Sequence, residues 1–313
     1  MSGFSGLKTP AVLDCGPRPG PAHPGPGGFS GLKTVAELVR APAALTVLGD
    51  TVAGAAASGV PLRGRRLLLP LSSAALYWAG MALNDWADRE LDATERPERP
   101  IPSGRISPNA ALATAGALTA AGLGLAGLGG GRRGLLTATG LAAAVWAYDT
   151  VLKPTAAGPL GMATCRTLDV LLGAGHTDRT VAGAAAALGV HTLGVTALST
   201  GEVHGAHPNT ARAALATSGA AGALAVSGPA RGRWHRLTSL AAGSGYAGMV
   251  GRAQAAAVAD PGARTVRSAT KAGIHGMVPL QAAIAARGSV VSAALVAAAL
   301  PVARLLSRRV SPT

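Results

Sequence analysis

The sequence predicts an all-α, polytopic membrane protein, a bundle of about nine transmembrane helices. Three observations carry that prediction. Of the 313 residues 49% are hydrophobic and only 13% charged, against the roughly 25% charged that is usual in soluble domains. Apolar runs of about 17 to 25 residues, the length a spanning helix needs at 1.5 Å rise, alternate with short polar or Gly/Pro-rich breaks. The basic residues fall between those runs in short clusters, Arg63/Arg65/Arg66, Arg132/Arg133, Arg231/Arg233/Arg236 and Arg308/Arg309, as loops at headgroup level do. Mean hydropathy is a modest +0.34, because Ala and Gly rather than Leu, Ile and Phe supply much of the apolar content. Small residues also let helices pack closely in lipid.

Residues 1–34 are rich in Gly and Pro (GPRPGPAHPGPGG) and repeat GFSGLKT at Gly3–Thr9 and Gly28–Thr34. Such a stretch buries too little apolar area to offset chain entropy, so a disordered tail is expected there. The spans follow at roughly 36–59, 66–83, 107–130, 133–152, 158–176, 180–199, 210–228, 236–258, 268–286 and 289–307. Segment 268–286 is the most amphipathic, since it carries Lys271, His275, Pro279 and Gln281. The folded domain is expected over 35–307, with a short basic tail at 308–313.

Net charge is +14 and the pI near 11.3. In a soluble chain that would suggest a nucleic-acid partner; spread over inter-helix loops it suggests an anionic bilayer, and no nucleic-acid partner is expected. Cys15 and Cys165 have no CxxC spacing and imply neither a disulfide framework nor a zinc site. The N-terminus lacks a cleaved-signal pattern, so insertion is assigned to the first span.

Counting helices places the polar segments 84–106, 153–158 and 199–210 at one end of the bundle and the basic clusters at 63–66, 132–133 and 231–236 at the other. The first group holds most of the residues able to do chemistry. Within it, NDWADRELDATERPERPIPSGR (Asn84–Arg105) gathers six acidic residues and four arginines. Asn84, Asp88 and Asp92 stand at i, i+4 and i+8, on one face of a helix. Three oxygen-bearing side chains in a row call for a counter-ion. Mg²⁺ suits them, because it takes oxygen ligands and is commonly shared between one or two carboxylates and a substrate phosphate. The plainer alternative is a solvated acidic loop whose Arg89, Glu90, Glu95, Arg96, Glu98 and Arg99 make weak surface pairs. Ionisable groups at the end of an apolar helix weigh against it. RPERPIPSGRIS then has three prolines holding an extended backbone, a Ser-Gly turn, and Ser107-Pro108 as N-cap and N1 of the next helix. Arg99 and Arg105 are the cations this return loop offers to a diphosphate.

NDxxDxxxD at the end of a second span, followed by RPxRPIPSGRIS, resembles the UbiA superfamily of intramembrane prenyltransferases. YDTVLKPT, with Tyr148 and Lys153, resembles that family's Tyr and Lys motif. GPLGMATCRTLDVLLG and VPLQAAIAARG resemble its EboC-like, actinobacterial branch. The resemblance implies that Asn84, Asp88 and Asp92 hold a Mg²⁺ bridging a prenyl diphosphate, that Lys153, Arg105 and Arg166 neutralise the diphosphate, and that Tyr148 lies by the ionising C1–O bond. Asp88, Asp92, Tyr148 and Lys153 are the expected catalytic residues. It further implies a multi-pass protein of the bacterial cytoplasmic membrane, motif loops on the cytoplasmic side, in contact with membrane lipid and acting on a prenyl diphosphate and an unidentified acceptor.

The sequence departs from the family where a second aspartate-rich motif is expected. There it reads STGEVHGAHPNT, with one carboxylate, Glu202, and two histidines, His204 and His207. Two readings follow: Glu202 holds a weakened second metal, or one metal acts with a cationic His. The mechanism implied is dissociative, in which an allylic cation forms in a chamber that excludes water. The alternative function is a carrier or scaffold for an isoprenoid or cyclitol-like lipid that keeps the fold without turnover.

Overall fold

The computed structural model describes residues 34–39 and 44–298, and among them it is all helix and turn. The tails expected at 1–34 and 308–313 lie outside the described residues, apart from Thr34, which opens a single helical turn over 34–38. In chain order the helices are α1 (Ala44–Ala57), α2 (Leu68–Ala87), the short α3 (Arg89–Glu95), α4 (Pro108–Ala147), α5 (Gly158–Ala174), α6 (Arg179–Ser199), α7 (Pro208–Ser227), α8 (Arg233–Tyr246), α9 (Arg252–Ala259) and α10 (Ala263–Gly288). A π-helical turn at Ala247–Gly251 joins α8 to α9, and residues 290–298 are again helical.

The 40 residues of α4 are two helices, as the sequence pattern predicts. Gly131 breaks them with φ 62° and ψ −153°, a left-handed conformation open to glycine at no steric cost. Trp146 Nε1 donates to Thr119 Oγ1 at 3.1 Å. In one straight helix residues 27 positions apart would lie about 40 Å from each other at 1.5 Å per residue. The chain therefore doubles back at Gly131 as an antiparallel hairpin. At its start Ser107 accepts the Ala110 amide at 3.2 Å, with Pro108 in the first turn, so the N-cap expected from Ser-Pro is present.

By length and hydropathy Gly64–Ala87, Pro108–Leu152 and Arg179–Ser199 qualify as membrane spans, and the hairpin makes the second of these two crossings of about 30 Å each. The chain is an integral membrane protein. α2 packs on the α4 hairpin, α5 on α6, α6 on α7, and α10 on α8 and α1. The tightest crossing joins α1 to α5. A Cβ on Gly173 would lie 2.0 Å from the Thr51 carbonyl oxygen, and one on Gly54 2.0 Å from that of Val170. Only hydrogens at both positions let the backbones touch. α10, the amphipathic segment of the sequence, has a deeply buried face, with Leu280, Gln281, Ala283 and Ile284 at 0% exposure.

The far end of the bundle is laced by arginines that cap helix C-termini. Arg66 Nη2 donates to the carbonyls of Gly173 at 2.9 Å and Ala174 at 3.2 Å. Arg287 Nη1 donates to Ala225 at 3.1 Å, and Arg231 Nη2 to Gly59 at 3.3 Å. These cations meet the last carbonyls of α5, of α7 and of the turn closing α1, where the helix dipoles favour positive charge. The basic clusters thus lie opposite the polar segments, as the helix count predicts.

Candidate active site

At the other end, α2 does not run on unbroken through its acidic residues. It stops at Ala87, Asp88 takes φ −85° and ψ 3°, and α3 begins at Arg89. The amides of Asp88 and Asp92 still bond to the carbonyls of Asn84 (2.9 Å) and Asp88 (2.8 Å). The i, i+4, i+8 succession therefore survives a bend. What changes is the company each side chain keeps.

Asp92 is buried and accepts from Arg99 Nη1 at 2.5 Å, and the same nitrogen lies 3.3 Å from Asp85 Oδ1. Arg99, expected at a diphosphate, instead ties the return loop to both carboxylates. Asp88 is ion-paired with Lys153. Arg105 pairs with Glu37 and donates to the Glu98 carbonyl at 2.7 Å, yet its side chain keeps 42% exposure. Arg89 donates to the Trp86 carbonyl at 2.9 Å and stacks 4.9 Å over the Trp86 ring.

Lys153 reaches this mouth from the π-helical turn Tyr148–Leu152, whose wide coil is followed directly by the lysine. The same turn carries Asp149, which is buried and accepts from Asn84 Nδ2 at 3.3 Å. Sequence reasoning passed over Asp149. Its signal was the argument that singled out Asp88, a carboxylate at the end of an apolar helix.

Below the mouth a cavity of about 290 Å³ opens between α2, the second limb of α4, α5 and α1. Asn84, Tyr148 and Asp149 line its upper part, and Val47, Leu76, Leu141, Val145 and Met162 its apolar walls. Arg166 lies at the inner end rather than the mouth. Its Nε is 2.9 Å from Asp50 Oδ2 and its Nη2 3.1 Å from Asp50 Oδ1, while Gln281 Nε2 donates to the same Asp50 oxygen at 2.6 Å. Asp169 lies beside it and takes the Ser73 hydroxyl at 2.8 Å. Asp50 and Asp169 are single carboxylates inside apolar runs and were the other legible signal left unused.

The loop after α6 does not complete a metal set. Glu202 is half-buried, and among the described residues no three His, Cys, Asp or Glu side chains gather closely enough to hold an ion. Glu202 is therefore not brought to Asp88 and Asp92. His207 caps α7, its Nδ1 accepting the Asn209 amide at 3.2 Å. His207 therefore serves the start of α7, away from any carboxylate cluster among the described residues. His204 is exposed.

The chemistry of the remaining donors suits a hard cation. Asn84 offers an amide oxygen and Asp88 and Asp92 their carboxylates at successive turns, and both carboxylates already receive a positive group, Asp88 from Lys153 and Asp92 from Arg99. Mg²⁺ needs one or two such carboxylates, with waters and phosphate oxygens completing its shell.

A model of the UbiA prenyltransferase family matches residues 44–200. The chain is 42% identical over 97 residues to digeranylgeranylglyceryl phosphate synthase of Methanothrix thermoacetophila, a match covering 30% of this chain and 36% of that protein. It is 46% identical over 98 residues to the protein of that name from Ignicoccus hospitalis, covering 30% and 32%. Over 46 residues it is 54% identical to the chloroplastic chlorophyll synthase of Oryza sativa, covering 15% and 12%. These matches span about a third or less of the relatives' length. Two solved structures share the fold over nearly their whole length. One, from work on digeranylgeranylglyceryl phosphate synthase in membranes, has a TM-score of 0.65 at 20% identity over 82% of this chain and 98% of its own. The other, an apo UbiA homologue from Aeropyrum pernix, has a TM-score of 0.60 at 19% identity over 77% and 96%.

Proposed function

The chain belongs to the UbiA prenyltransferase family, and from that premise we propose that it is a membrane-embedded enzyme moving a prenyl group from a prenyl diphosphate to an acceptor. The observation that carries the reading is the Lys153–Asp88 pair at the mouth of an apolar cavity. The mouth can hold a charged leaving group and the apolar walls an uncharged tail.

In this reading Asn84, Asp88 and Asp92 hold Mg²⁺, which supplies charge neutralisation to the departing diphosphate. Lys153 leaves Asp88 for a diphosphate oxygen, and Arg105, half-exposed on the return loop and paired with Glu37, supplies a second cation. Tyr148 lines the chamber where C1 would lie. The C1–O bond breaks and its electron pair leaves on the diphosphate. The acceptor oxygen closes on C1, and its proton passes to the released diphosphate. Leu76, Leu141 and Val145 exclude water from the cation that forms between these steps. Arg99 sets the loop by binding Asp85 and Asp92, and Arg166 shapes the inner chamber through Asp50.

We place the protein in a bacterial cytoplasmic membrane with the mouth toward the cytoplasm. The test is transfer, in membranes, from labelled geranyl, farnesyl and geranylgeranyl diphosphates into total lipid extract, with and without Mg²⁺, for wild type and Asp88→Ala. Mg²⁺-dependent label in a new lipid, lost in the variant, is expected. Diphosphate binding with no turnover would replace the enzyme by the carrier.

A further inference from the structure

The floor of the cavity is unlike its walls. Asp169 is 3% exposed; its Oδ2 takes the Ser73 hydroxyl, but its Oδ1 is buried with no hydrogen-bond partner. A buried carboxylate oxygen left without a donor is costly, the more so at membrane depth. The nearby guanidinium does not settle the account: Arg166 is held by both oxygens of Asp50, which Gln281 binds as well. The arginine is thus committed to Asp50, and Asp169, which borders the cavity, retains an open acceptor. Above it the lining up to Asn84 and Asp149 is mainly apolar, Leu76, Leu141, Val145 and Met162, with Tyr77, Cys165 and Arg166 among them. Ser73 and Asn84 are eleven residues apart on α2, roughly 16 Å at 1.5 Å per residue.

We propose that Asp169 is the recognition point for a hydroxyl group on the acceptor, remote from the oxygen that is prenylated; this rests on the prenyltransferase reading above. The acceptor is then an elongated molecule with an apolar middle, one hydroxyl on the floor at Asp169 and a second near Tyr148 and Asp149. A hydroxyl fits because it both donates and accepts, and so pairs with a carboxyl in either protonation state. A carboxylate or phosphate at the same end meets the charges of Asp50 and Asp169 with only one cation to offset them. The reaction balances as before: the upper hydroxyl oxygen bonds to C1, the C1–O bond to diphosphate breaks, and the proton leaves with the diphosphate. The lower hydroxyl is unchanged.

The test uses the full-length protein in lipid nanodiscs with Mg²⁺ and geranyl, farnesyl or geranylgeranyl diphosphate. The acceptor probes are 1,6-hexanediol, 1,10-decanediol and 1-decanol, and both diphosphate release and ether product are followed. Wild type is expected to favour decanediol over decanol by about tenfold in kcat/KM, with hexanediol, too short to span, used no better than decanol. Asp169→Leu should erase the preference and leave acceptor-free diphosphate release within about twofold. Asp169→Asn, which keeps the side-chain volume, should cut it at least threefold and covers the case in which the leucine variant does not fold. Equal use of decanediol and decanol by wild type, or an unaltered preference in variants that still release diphosphate, overturns the inference and leaves the enzyme reading standing; the open oxygen would then belong to a structural water. No Mg²⁺-dependent release from wild type removes the enzyme reading and this inference together.

Discussion

Lys153 and Asp88 meet as an ion pair although 65 positions separate them. The lysine comes from the turn that ends the α4 hairpin and the aspartate from the bend that ends α2. The pair therefore closes the mouth by joining two elements, and a cation already rests on the carboxylate proposed to receive the metal.

Substituting either partner should act on chemistry rather than folding, because both are partly exposed. Asp88→Ala is expected to lower Mg²⁺-dependent diphosphate release about 1,000-fold and Lys153→Ala about 100-fold, the range for losing one charge-stabilising group. Wild-type rates in Lys153→Ala would remove the lysine from the reaction.

Arg99 should behave differently. Its substitution strands the buried Asp92 and releases Asp85, so Arg99→Ala is expected to destabilise the protein by about 3 kcal/mol even without substrate. Arg99→Lys should recover part of the loss, since a single nitrogen, Nη1, makes both contacts and an ammonium supplies one such charged donor on a shorter stem. Thermal unfolding in detergent measures this, and an unchanged melting temperature would return Arg99 to the diphosphate.

Asp50 and Arg166 test each other. Asp50→Leu or Arg166→Leu alone leaves one buried charge uncompensated and should cost about 3–5 kcal/mol, whereas the double variant should cost clearly less than their sum. Additive effects in the same unfolding assay would show that the two do not compensate one another.

Gly173→Ala should separate α1 from α5, because the added methyl meets the Thr51 carbonyl oxygen at 2.0 Å. A loss of about 1–3 kcal/mol is expected, as for other overpacked contacts. The Asp50–Arg166 pair spans the same two helices, so acceptor use should fall with stability. A Gly173→Ala protein that melts normally would refute the close crossing.

The helices were legible because their boundaries have local causes. Ser107-Pro108 starts α4 by capping chemistry confined to four residues, and apolar length alone separates one crossing from the next. The partners of charged side chains were not legible. Gln281 reaches Asp50 from 231 positions away, and Arg99 turns to Asp85 and Asp92 rather than outward, choices that depend on packing no periodicity records. His207 precedes Pro208 as Ser107 precedes Pro108, so the sequence held the sign of its helix-capping role as well.

The turn at Gly131 bears on how the protein enters the membrane. No loop separates the two limbs of α4, so the hairpin inserts as one unit, and its tip carries Arg132 and Arg133. In the orientation proposed above, two guanidinium groups must cross the hydrocarbon during biogenesis, against the tendency of basic residues to stay behind. The apolar limbs on either side, about twenty residues each, supply the pull that carries them over.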